Sequence, residues 1–104
     1  MKLVVLASIL PALALAARPG QFNVAPSGVA CGKGTTISVP DAGAKGNFNP
    51  AQSTVVNLKV SGNCHISLYP QANQGGGVSQ RLNTDTTGTC ITGGPWKSYG
   101  YYCD

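Results

Sequence analysis

Short apolar alternations, each cut off by glycine, proline or asparagine, restrict the fold of this chain more than any other feature. They are clearest between Cys64 and Cys103. Ile66 and Leu68 alternate with His65, Ser67 and Tyr69, which is the period-2 signature of a strand. Gly75, Gly76 and Gly77 fold the chain over, and Val78 to Leu82 reads as the next strand. The polar run Asn83 to Gly88 leads into Cys90 and Ile91. Gly93, Gly94 and Pro95 then turn the chain into the aromatic run Trp96 to Tyr102. Four strands in about forty residues fit one Greek-key unit.

The first half carries the same punctuation more weakly. Gln21 to Val24 forms a short strand ended by Pro26, Ser27 and Gly28. Cys31 sits in a bend with Gly32 and Gly34. Thr35 to Val39 is β-branched and alternating, so it is a second strand. Pro40 to Pro50, rich in Gly and Pro, reads as a loop, with a fourth strand of the first half as the alternative there. Thr54 to Val60 is a third strand, with Val56, Leu58 and Val60 on one face. Nothing longer than a turn has helical spacing. The expected architecture is all-β: a compact two-sheet Greek-key sandwich whose first half is a degenerate partner of the second.

Residues 1–17 read as a secretory signal. Lys2 supplies the positive start, Leu3 to Leu15 the apolar stretch, and Ala14-Leu15-Ala16 the cleavage site. An uncleaved anchor is the alternative, but the run is too short to span a bilayer. The domain is then residues 18–104, and the location extracellular. Cys31, Cys64, Cys90 and Cys103 all follow the signal. An even number of cysteines in a small exported chain reads as two disulfides. No two lie close enough for a zinc knuckle. Three pairings are open, and the residues alone do not choose among them. A core this small needs such crosslinks.

Tyr69, with Gly76 seven positions on, resembles the folded hairpin of the βγ-crystallin Greek-key motif. There an aromatic opens the hairpin and a positive-φ glycine closes it. Trp96 and Tyr99 resemble the closing aromatic pair. The aliphatic-Leu-Tyr strand, glycine-rich fold, Cys90, Trp96-Lys97-Ser98 and final Cys103 are similar to the plant antimicrobial peptides of the macadamia type. Small secreted fungal killer toxins and effectors share that fold. Gln74 departs from the pattern, standing where crystallins have a second aromatic, and the macadamia type has more cysteines. The resemblance implies adjacent, antiparallel first and last strands, hence pairing Cys64 with Cys103 and Cys31 with Cys90. It also implies a non-enzymatic antimicrobial or toxin-like role at a microbial surface. The alternative is a secreted effector that binds a host protein or a wall polysaccharide.

Arg18, Lys33, Lys45, Lys59, Arg81 and Lys97 face only Asp41, Asp85 and Asp104, a surplus of three positive charges after the signal. The cations are scattered, which argues against a nucleic-acid partner. Mild basicity favours adhesion to a wall glycan or anionic lipid. Lys97, Tyr101, Lys59 and Arg81 are the candidate surface contacts. His65 is the only histidine and reads as an exposed strand-end residue. No motif supports a Ser-His-Asp or two-carboxylate site. Asn83 to Gly88 lies where crystallin domains bind calcium, but Thr84 replaces an expected Asn or Asp. Asp85 alone is thin provision for a calcium ion. Neither metal nor cofactor is expected, and the chain is expected to act as a monomer.

Overall fold

The computed structural model describes residues 16–104. The signal expected over residues 1–17 lies outside the described residues except for Ala16 and Ala17. The described chain is all-β: β1 (Gly20–Ala25), β2 (Thr35–Val39), β3 (Lys45–Val60), β4 (Cys64–Tyr69), β5 (Gln80–Leu82) and β6 (Cys90–Cys103). Two single 3-10 turns, Ala72–Gln74 and Thr84–Thr86, flank β5. No helix of the described residues is long and apolar enough to cross a membrane.

Where two sheets were expected, the hydrogen bonds join all six strands into one antiparallel sheet ordered β2-β1-β3-β6-β4-β5. The reason lies in the two longest strands. β3 begins at Lys45, inside the segment expected to be a loop. β6 runs through Gly93, Gly94 and Pro95, which were expected to form a turn. These breakers sit in irregularities of the β3–β6 ladder. Gln52 pairs with Trp96 and Thr54 with Thr92, so residues 93–95 stand opposite Ser53 alone. Asn47 pairs with Ser98, so residues 48–51 stand opposite Lys97 alone. Extra residues in one strand bend a ladder without ending it. Glycine and proline are tolerated at such points.

A third irregularity corrects the expected face of β3. Gln21 pairs with Lys59 but Phe22 pairs with Asn57, which leaves Leu58 as the extra residue. Alternation reverses there. Val55, Asn57 and Val60 are buried, while Leu58 is 44% exposed.

No helix of the described residues covers the sheet, and its apolar side covers itself. Phe22 of β1 meets Tyr99 of β6 edge to face, with ring centroids 5.3 Å apart. β1 and β6 are not ladder neighbours, so this contact crosses the fold of the sheet. Phe22 and Val24 of β1, Val55 of β3, Ile66 and Leu68 of β4, Leu82 of β5, and Trp96 and Tyr101 of β6 form one core.

The disulfides are Cys31–Cys90 and Cys64–Cys103. This is the pairing the Greek-key resemblance implies. Cys64 and Cys103 are ladder partners at the ends of β4 and β6. Cys31–Cys90 ties the loop after β1 to the start of β6 across 59 residues. In the chain-entropy account, closing a loop that long stabilises by ~4 kcal/mol.

Cys31→Ser should raise amide exchange in β1 and β2 before it affects β4, as read by hydrogen-exchange mass spectrometry; uniform loosening would contradict this. At Gly76, φ is +82° and an added Cβ would meet Pro70 Cγ at 2.8 Å. Gly76→Val should therefore destabilise by about 1–3 kcal/mol in urea unfolding. Gly62, whose Cβ would enter open space, should tolerate Ala within about 0.5 kcal/mol.

Candidate functional site

Strand register gathers polar side chains on the face of β4 and β6 turned away from Phe22. Lys45 pairs with Gly100, Gly100 with Ser67, and Ser67 with Arg81. These four residues form one row across four strands. At the usual strand spacing its two cationic ends lie about 14 Å apart. Tyr102 and His65 pair with each other in the adjacent row.

The turn Ala72–Gln74 folds back over this face. Gln74 N donates to Ser98 Oγ at 2.8 Å, and Ser98 Oγ donates to the Gln71 carbonyl at 2.6 Å. Asn73 N donates to Asn47 Oδ1 at 2.8 Å, and Asn47 Nδ2 donates to Asn73 Oδ1 at 3.1 Å. The Gln74 side-chain amide donates to the Tyr102 hydroxyl. These bonds hold two consecutive non-glycine residues in left-handed conformations, Asn73 at φ 55° and Gln74 at φ 61°. Between the turn and the start of β3 lies a cleft of about 240 Å³, lined by Lys45, Gly46, Asn47, Asn73 and Gln74.

A second cleft, of about 210 Å³, opens at the far end of the row. Its lining includes His65, Arg81, Asn83, Asp85 and Asp104. Arg81 Nη2 lies 3.0 Å from His65 Nδ1, so Nδ1 accepts and carries no proton in this arrangement. Arg81 also lies 3.9 Å from Asp104, an exposed and weak pair. Partial burial holds the His65 pKa below its usual 6.5, the Arg81 charge lowers it further, and Asp104 opposes them. His65, expected to be exposed, is thus half-buried and engaged. The sequence offers no signal for this, because the register that sets Arg81 beside it depends on how much chain the 70–79 connection consumes.

The expected site residues separate on folding. Tyr101 is wholly buried, which overturns its expected place on the surface. Its hydroxyl donates to the Pro19 carbonyl at 3.1 Å and accepts from Ser61 N at 3.4 Å. Lys97, expected to act beside it, is exposed. Lys59 is exposed on β3, beside a groove of about 400 Å³ that includes Pro19, Val39 and Pro40. Tyr69 and Trp96 are buried, and Trp96 Nε1 donates to Ser79 Oγ at 3.3 Å. Tyr99 stacks on Phe48 at 5.3 Å, and burial raises its phenol pKa. Cys31, Cys64, Cys90 and Cys103 are all disulfide-bonded.

The Asn83–Gly88 run is bonded to its own surroundings. Asn83 Oδ1 accepts from Asp85 N, the Asn83 carbonyl accepts from Asn57 Nδ2, and the Thr84 carbonyl accepts from Thr87 Oγ1. Among the described residues no group of three or more His, Cys, Asp or Glu is placed to hold a metal ion. Comparison of the chain with protein families, curated proteins and solved structures finds no match.

The depressed His65 pKa fixes a pH dependence. Folding favours the neutral ring, so its contribution is complete above the ordinary value of 6.5 and is lost as pH falls through the lower folded value. Stability should therefore drop on acidification below about pH 6.5, and His65→Gln should flatten that drop. Asp41, its carboxylate held below 3.8 by hydrogen bonds from Ala42 and Arg18 amides, loses its contribution only at lower pH. Urea unfolding at stepped pH separates the two windows.

Proposed function

We propose that this is a secreted, non-enzymatic, βγ-crystallin-like protein of antimicrobial or toxin-like action that adheres to anionic microbial surfaces. The observation that carries the reading is the state of its cations. Arg18, Lys33, Lys45, Lys59, Arg81 and Lys97 are all exposed. Among the described residues only Arg81 lies within ion-pair distance of a carboxylate. The surplus charge is therefore presented to solvent, where it attracts polyanions and loses strength with salt. Two disulfides in so small a domain suit an oxidising, extracellular compartment. The Tyr69-to-Gly76 fold-back, with its positive φ at Gly76, supports the crystallin-like comparison.

A growth-inhibition series over several microbes tests this. Inhibition should weaken as salt rises from about 10 mM to about 150 mM, where the screening length shrinks from about 30 Å to about 8 Å. It should be lost in a variant with Lys33, Lys45, Lys59 and Lys97 all replaced by Gln. Salt-independent inhibition would contradict adhesion by charge. No inhibition, with capture of a host protein instead, would favour an effector.

A further inference from the structure

We infer that the cleft between the start of β3 and the turn Ala72–Gln74 binds an anionic sugar unit, which deepens the adhesion reading and rests on it. Three observations converge. The first is strain at the cleft wall. Asn73 and Gln74 both hold positive φ, a conformation that Asn tolerates and Gln resists. Glycines fill the following positions 75–77, yet the two residues facing the cleft carry amide side chains. Backbone outliers of this kind collect at ligand sites.

The second is chemistry left over. Within the described residues, Asn73 Oδ1 and Asn47 Oδ1 accept from each other's residues, and the Gln74 amide nitrogen donates to Tyr102. Asn73 Nδ2, Gln74 Oε1 and Lys45 Nζ have no protein partner among those residues. A donor, an acceptor and an ammonium on one small cleft match the hydroxyls and the charge of an acidic sugar. The third is the balance of charge and size. The lining holds one cation and no acid. A cleft of about 240 Å³ is smaller than the usual drug-sized pocket and suits a single ring. In the bound arrangement Lys45 faces the sugar's carboxylate or phosphate. Asn73 and Gln74 read neighbouring hydroxyls.

The test is a side-chain and backbone amide NMR titration of the intact, oxidised mature chain. The probes are trigalacturonate and mannose 6-phosphate, with the neutral N-acetylglucosamine trimer as control. Saturable shifts should appear at the Asn47, Asn73 and Gln74 side-chain amides with an acidic sugar and not with the neutral trimer. Which of the two acidic probes binds tighter tells carboxylate from phosphate. Lys45→Gln should weaken binding several-fold. Gln74→Gly should weaken binding while thermal stability holds or rises, because glycine relieves the backbone. If the two amides serve only to pin the turn, Gln74→Gly will instead lower stability and leave binding intact. Lys45→Gln, a surface change, remains decisive should the Gln74 variant not fold. Equal shifts around every lysine, equal binding of the neutral trimer, or shifts with phosphatidylglycerol vesicles and not with either sugar would overturn the inference. Salt-sensitive adhesion to cells without cleft shifts would sink the cleft alone. Cleft shifts without adhesion would sink the broader reading alone.

Discussion

A sheet with no helix beside it among the described residues must bury its own apolar side, and the rest of this structure depends on how that is done. A flat six-stranded sheet in so short a chain would leave one face wet. Here β3 and β6 pair at both ends but lose register between them, which lets the sheet turn over. β1 then lies against the far part of β6. Phe22 reaches Tyr99, and Tyr101 reaches back to Pro19. The fit is close: a Cβ at Gly20 would meet the Tyr101 ring at 2.8 Å. The two disulfides act on the same geometry, one fixing β4 to the end of β6 and the other fixing the first half to its start.

The other face of β6 is covered differently. There the turn Ala72–Gln74 is held down by Ser98, Asn47 and Tyr102. Covering with a polar turn leaves amides and a lysine at the rim of a cleft instead of sealing an apolar layer. The adhesion proposal and the acidic-sugar site both draw on this division. One side of β6 is spent on stability, and the other presents polar groups on a rigid ladder, where a site is positioned more sharply than on a free loop.

Much of the fold was legible in the residues because strands announce themselves by period. Thr35–Val39 and Cys64–Tyr69 are strands as read. The expected Val78–Leu82 strand shortens to Gln80–Leu82. What was hidden is where Gly and Pro bend a strand instead of ending it. Gly46 and Pro50 in β3, and Gly93 to Pro95 in β6, look like turns until their partner strand is known. Leu58 reversed the expected face of β3 for the same reason. Tyr101 was misplaced because β6 is covered on both sides, so alternation cannot tell its inner face from its outer one. The cleft was least legible of all. Lys45, Asn47, Asn73 and Gln74 are brought together by register and by two left-handed residues that are not glycine.

The self-covering sheet is the claim on which the core, the buried Tyr101 and the turn-covered polar face all rest. Nuclear Overhauser contacts in solution test it most directly. The account predicts strong contacts between the Phe22 and Tyr99 rings, and between the Tyr101 ring and the Gly20 α-protons, alongside the β1–β3 ladder contacts from Gly20 to Val60. Ladder contacts present without either ring contact would mean a sheet that does not fold over, and would contradict the account.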